Sequence, residues 1–180
     1  MNTTEHTYKD VLLSIPFFGY ANALETGYEK ATTSCGMCCI AMILQSKNIE
    51  VPIADLITKG HVEGGYGPHG WIHDYFIRVL KEYSIAAVRK ENMSRQGGTL
   101  EIQENILNNR PVIISGRKLF MEQTSFHMVL ITGIRIDASN NCVGFYYHDP
   151  AAKNEHTGMY HFVPIDTFHQ YWRQMAIVLE

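Results

Sequence analysis

The sequence predicts an α+β fold, in which helices from the first half pack against an antiparallel sheet supplied by the second. Three observations predict it. Cys38, Cys39, Met42 and Ile43 fall at helical spacing just after Cys35-Gly36. Residues 127–134 form a nearly unbroken apolar run of strand length, as expected for a strand buried on both faces. Asp137-Ala138-Ser139-Asn140-Asn141 is a turn that makes this run and residues 142–147 hairpin partners.

In chain order, residues 11–18 read as a strand entering a loop, with Pro16 suited to a strand end. A polar stretch, 21–34, reads as loop. Thr32, Thr33 and Ser34 are helix-start residues, so Cys35 sits at or near the N-terminus of a helix whose Ala41 and Leu44 also face the core. Residues 51–57 read as a short helix begun near Pro52. The glycine-rich 60–70 reads as a surface loop, and Gly64 to Gly70 within it either as a simple turn or as a rim over a groove. Trp71, Phe76, Val79 and Leu80 predict a helix over 71–83, and residues 85–88 a short strand. Leu100, Ile102, Ile106 and Leu107 predict a helix over 99–108, ended by Arg110-Pro111. Residues 111–115 read as a strand before the hairpin. A helix at 165–171 and a strand at 175–179 close the chain. Tyr146, Tyr147, Tyr160, Phe162 and Trp172 read as core and sheet surface.

The chain has 180 residues, which suits one domain over 1–180, and 46% hydrophobic against 18% charged residues supply a proper core. The formal net charge of -3 and the lack of a Lys/Arg cluster argue against a nucleic-acid partner. No apolar run approaches the ~20 residues that span a bilayer. The first residues lack a basic then apolar signal pattern. Of four cysteines, Cys35, Cys38 and Cys39 lie within five residues and Cys142 stands apart, a poor disulfide framework. Reduced thiols in a cytoplasmic setting are expected. Nothing in the sequence speaks to oligomeric state.

A cysteine attacks as thiolate, and a helix N-terminus favours the thiolate through its unpaired N–H groups and dipole. Cys35 has that setting, and Gly36 beside it leaves room for a substrate carbonyl. An isolated cysteine can equally be an inert buried residue, the reading given to Cys38 and Cys39. Cys35-Gly36-Met37-Cys38 also has the form of a redox dithiol or half a zinc site. The redox version wants a strand running directly into the motif. The zinc version wants a second ligand pair, and Cys142, His148 and His156 have no recognisable spacing.

His127, one of nine histidines, starts an apolar strand, so its ring can face a groove while the strand is held in the core. Its ordinary pKa near ~6.5 suits proton exchange with a thiol. Pairing through the turn at 137–141 brings Asp149 beside His127 at the open end of the hairpin, where a carboxylate can hold the imidazole's tautomer. Asp149-Pro150 can otherwise simply start a turn.

This ordered set resembles the papain-like peptidases that remove double-glycine leaders from bacteriocins, and above all their stand-alone relatives. The likeness covers most of the chain. Ile15-Pro16-Phe17-Phe18 is similar to the family's N-terminal segment, and Ser34-Cys35-Gly36 with Ala41-Met42 to its nucleophile helix. Gly70-Trp71 fits the middle. Arg110-Pro111-Val112-Ile113-Ile114 resembles the strand before the base. Phe126 to Gly133 resembles the histidine strand, His148-Asp149-Pro150-Ala151 the aspartate corner, and Phe168 with Trp172 the closing helix. The resemblance implies a papain-like fold and a cysteine hydrolase of peptide or amide bonds, or an acyltransferase. It implies a Cys35–His127–Asp149 triad and no metal or organic cofactor. One departure is plain. The family carries a glutamine before the cysteine that helps hold the oxyanion, and no glutamine precedes Cys35. Tyr20 and Asn22 stand near its place, and either can donate. A binding or regulatory domain that kept the fold is the alternative reading.

Overall fold

The computed structural model describes residues 7–24, 33–122 and 125–180. Its elements in chain order are β1 (Lys9–Leu12), α1 (Tyr20–Leu24), α2 (Cys35–Ser46), α3 (Ile53–Val62), β2 (Tyr66–Gly67), β3 (Gly70–Trp71), α4 (His73–Glu82), β4 (Ala87–Lys90) and α5 (Arg95–Leu107). There follow β5 (Val112–Arg117), a 3₁₀ turn at Lys118–Phe120, β6 (Phe126–Ile136), β7 (Cys142–His148), α6 (Glu155–Gly158), β8 (His161–Pro164), α7 (Ile165–Tyr171) and β9 (Trp172–Leu179). The architecture is α+β. A seven-stranded antiparallel sheet runs in the order β4-β9-β5-β6-β7-β8, with β1 added along β6.

Two elements make the core. From Gly36 to Leu44, α2 is buried all round, so it is a central helix rather than a surface one. β6 is buried without a break from His127 to Ile134, which requires cover on both faces of the sheet. The two pack directly on each other. Gly36 lets α2 approach α4 closely, since a Cβ there would lie 2.3 Å from the Phe76 ring.

The structure differs from the sequence reading in several places. The first strand is earlier and shorter, because Asp10 pairs with Arg135 across β1 and β6, while Leu13 to Gly19 leave the sheet. The expected loop at 21–34 is entered by α1. Thr32 and the rest of 25–32 lie outside the described residues. α3 runs on to Val62, and the glycine-rich segment closes as the β2–β3 hairpin rather than an open loop. β8 and α6 were not foreseen. β9 starts at Trp172, three residues before the expected 175.

The N-terminal segment is pinned from the far half of the chain. Tyr160 Oη donates to the Leu13 carbonyl at 2.8 Å, and His148 Nε2 to the Ile15 carbonyl at 3.1 Å. The Tyr20 N–H donates to the Pro150 carbonyl at 2.8 Å. His148 is fully buried, and the Tyr160 N–H donates to its Nδ1, so its ring is the Nε2–H tautomer.

Candidate active site

Cys35 opens α2. Only from Cys38, whose N–H bonds the Ser34 carbonyl at 2.9 Å, does the helix ladder begin. The N–H groups of Cys35, Gly36 and Met37 belong to the first turn of the helix, next to the Cys35 sulfur. Cys35 itself is half-buried and borders a cleft of about 400 Å³.

His127 reaches this sulfur from β6. Residue Leu130 pairs with His148 across β6 and β7, so the next ladder position sets Asp149 opposite Val129, on the same face as His127 and diagonal to it. Bulges at Ile131/Gly133 and Arg135/Ile136 set that register. His127 Nε2 donates to Asp149 Oδ1 at 2.6 Å, and both side chains are buried. The other ring nitrogen, Nδ1, is left for the Cys35 thiol, which borders the same cleft. Asp149 Oδ1 also accepts from the Ala151 N–H at 2.8 Å, which fixes the carboxylate in the turn that Pro150 begins.

These contacts displace the titrations. Burial alone disfavours the Cys35 thiolate, but the hydrogen bond and charge of His127, the Met128 N–H and the Tyr20 hydroxyl outweigh it and hold the thiol below its usual range. Burial alone would also lower His127. The hydrogen bonds to Asp149 and Cys35, and their charges, raise it to about 9. Asp149 is lowered: burial opposes ionisation, and His127 overcomes it. The two shifts, cysteine down and histidine up, both favour transfer of the thiol proton to the imidazole.

Tyr20, at the start of α1, sets its ring edge-on to His127 with centroids 6.3 Å apart and hydrogen-bonds Cys35. Burial and the nearby Cys35 charge raise its hydroxyl, so it stays protonated and able to donate. Asn22 does not line the cleft. Its Oδ1 accepts from the Gly19 N–H at 2.9 Å, which closes the first turn of α1 and presents Tyr20.

Cys38 is fully buried with its sulfur 3.6 Å from Ser34 Oγ, and burial pushes its thiol up to about 12. Cys39 is also pushed up by burial. A thiol so reluctant to ionise is a poor partner for dithiol exchange, which demands a thiolate. Among the described residues no group of three or more His, Cys, Asp or Glu side chains could hold a metal ion.

The β2–β3 hairpin forms the opposite wall of the cleft with Tyr66, Pro68, His69, Gly70 and Trp71. Trp71 Nε1 donates to the Thr33 carbonyl at 2.7 Å, two residues before the nucleophile candidate. Its ring packs among His61, Tyr66, Tyr75 and Phe76. The glycine-rich segment is thus both a turn and a rim. The tight approach of Gly60 and Gly65 to the Trp71 and Tyr75 rings explains two of its glycines. The sequence did not mark Trp71 or Arg173 as cleft residues. Both are placed by tertiary packing.

No curated protein sequence matches the chain. Among solved structures, a C39-like peptidase from Bacillus anthracis aligns at a TM-score of 0.67 and 18% identity, covering 96% of this chain and 98% of that one. A double-glycine-motif protease from an AMS/PCAT transporter, solved with its leader peptide, aligns at 0.60 and 15%, covering 93% and 92%. The peptidase domain of Streptococcus ComA, a bifunctional ABC transporter of a quorum-sensing pathway, aligns at 0.55 and 13%, covering 82% and 91%. At these identities the likeness shows the fold, which is that of the papain-like C39 peptidases. The sequence pattern of the Peptidase_C39-like family matches residues 13–178, nearly the whole chain, and the chain therefore belongs to that family.

Proposed function

We propose that this protein is a cysteine hydrolase of peptide or related amide bonds, with Cys35 as nucleophile, His127 as acid and base, and Asp149 as the group that orients His127. The observation that carries this reading is the buried imidazole that bonds Asp149 at 2.6 Å through Nε2 and shares the cleft with Cys35, each shifting the titration of the other. The thiolate attacks the substrate carbonyl carbon, and the carbonyl π electrons move onto oxygen. Tyr20 Oη and the N–H of Cys35 at the helix end donate to that oxyanion. Collapse of the tetrahedral species breaks the C–N bond, and His127 gives its proton to the leaving amine. The thioester is then attacked by water, whose proton passes to His127, and release of the acid restores the thiolate–imidazolium pair. Asp149 stays ionised and holds the ring in one tautomer.

Peptide substrates are favoured by the family and by an open cleft with a wall on each side of Cys35. Alkylation of Cys35 by iodoacetamide as a function of pH, read by mass spectrometry, tests the reading. Wild type should label fast near pH 6. His127→Ala should label slowly there and gain rate only above pH ~8, as an ordinary cysteine of pKa ~8.5 does. Slow labelling in both proteins at pH 6 would make this a binding domain on a peptidase fold.

A further inference from the structure

The cleft wall beside His127 carries a charge that the proposed chemistry does not use. Between Ile114↔Ala176 and Gly116↔Trp172 the β5–β9 ladder breaks, so Ser115 on β5 faces three residues, 173 to 175, on β9. Gln174 in this bulge has φ 56°, a left-handed conformation that a non-glycine side chain adopts at a cost. Bulges of this kind re-aim a side chain, often next to an active site. Here the residue re-aimed is Arg173, which lines the cleft with Ser115, Phe126 and His73. Its guanidinium lies over the half-exposed Phe126 ring, 4.1 Å from the centroid, and Phe126 directly precedes His127. A second cation, Arg117, lies 5.6 Å from the same ring. Among the described residues no carboxylate is ion-paired with Arg173. The nearby acids Asp74 and Glu91 are engaged by Arg89. Burial lowers His73 first, the charges of Arg89 and Arg173 lower it further, and those of Glu91 and Asp74 oppose them.

We propose that Arg173 is a specificity-determining residue, and that it selects peptides with an aspartate or glutamate side chain close to the bond that is cut. The inference rests on the hydrolase reading for the cut, but not for the anion preference of the cleft. A guanidinium held in one orientation by an aromatic face is a preorganised carboxylate receptor. Among the described residues no carboxylate is paired with it, which leaves the guanidinium open to a substrate's carboxylate. The strained bulge is the structural cost of keeping it there.

Two measurements test this. The first is the ratio of Cys35 alkylation rates with iodoacetate and with iodoacetamide, an anionic and a neutral probe of nearly equal size. Arg173→Ala should lower the ratio roughly two- to fivefold, the range of a partly screened charge pair, and Arg173→Glu should lower it further. Dividing each variant's iodoacetate rate by its own iodoacetamide rate removes any change in the intrinsic reactivity of Cys35. The second is mass spectrometry of products from a randomised peptide library blocked at both ends. Wild type should cut next to Asp or Glu, and Arg173→Glu should turn that preference to Lys or Arg. An unchanged ratio in both variants overturns the proposal, as does a library preference identical in wild type and Arg173→Glu. A preference for acids that appears only when the same library is left with free C-termini overturns it too, since that names a terminal carboxylate instead of a side chain. A library left uncut by wild type defeats the hydrolase reading, and the alkylation ratio then decides the question of Arg173 by itself.

Discussion

His127 stands between a carboxylate and a sulfur, and most consequences of single substitutions run through it. Asp149→Asn keeps the shape of the contact but removes its charge. The imidazole should fall from about 9 toward its ordinary value, and the Cys35 thiol should rise. Alkylation at pH 6 should drop by an order of magnitude or more, measured on the folded variant. Tyr20→Phe separates activation from oxyanion binding. The Tyr20 hydroxyl is the weakest of the named interactions that lower Cys35, so the alkylation profile should barely move. Turnover should fall by ~10²-fold, the usual cost of losing one oxyanion donor. Gly36→Ala should destabilise by ~1–3 kcal/mol in urea unfolding, since its Cβ would meet the Phe76 ring at 2.3 Å. His127 lies one residue inside the strand it was expected to start, after Phe126, and the place of Cys35 at the head of α2 was legible because it follows polar residues and opens a long apolar run. The purpose of Gly36 was not, because Phe76 is forty residues away and local sequence says nothing of what a glycine will touch.

Elements with their own periodicity were readable in advance: α2, α4, α5, β5, β6 and β7 all lie within a few residues of their expected bounds. Those that depend on distant partners were not. β2 and β3 are two residues each and exist because Trp71 is clasped by aromatic neighbours and bonded to Thr33. β8 exists because β7 offers it an edge. The bulge at 173 to 175 has no glycine to announce it. α1 is five residues, too short to persist alone, and depends on Asn22 closing its first turn and on the Tyr20 N–H reaching Pro150. Asn22→Ala should therefore cost about 1 kcal/mol in stability and lower turnover more than so modest a loss would suggest, by loosening Tyr20. If the variant unfolds earlier in urea but turns over substrate at the wild-type rate, α1 has no part in presenting Tyr20.

Across the whole molecule, the α+β layout was legible from the order of periodicities, and the long-range closure was not. The buried Cys35–His127 pair links that closure to pH. His127 is raised on folding, so its stabilising contribution is complete below its unfolded value of ~6.5 and is lost as pH rises through about 9. Cys35 is lowered, so its contribution is complete above ~8.5 and is lost as pH falls through its folded value. Where both act, the two slopes oppose each other. The stability difference between wild type and His127→Ala, from urea midpoints across pH, should fall as pH rises from ~8.5 to about 9, where only the imidazole slope remains, and level off above it. A difference that keeps growing above pH 9 would be inconsistent with the raised imidazole.

The pins from Tyr160, His148 and Pro150 onto the N-terminal segment also set a timetable. A ribosome extrudes Cys35 early, and Asp149 and Tyr160 more than a hundred residues later. At ~5–20 residues per second the interval is on the order of ten seconds. Through that time neither the orienting carboxylate nor the clasp on Tyr20 exists, and the thiol is chemically ordinary. On the proposed reading a nascent chain therefore passes its neighbours on the polysome unarmed and acquires a reactive sulfur only after residues 149–160 have emerged and folded back.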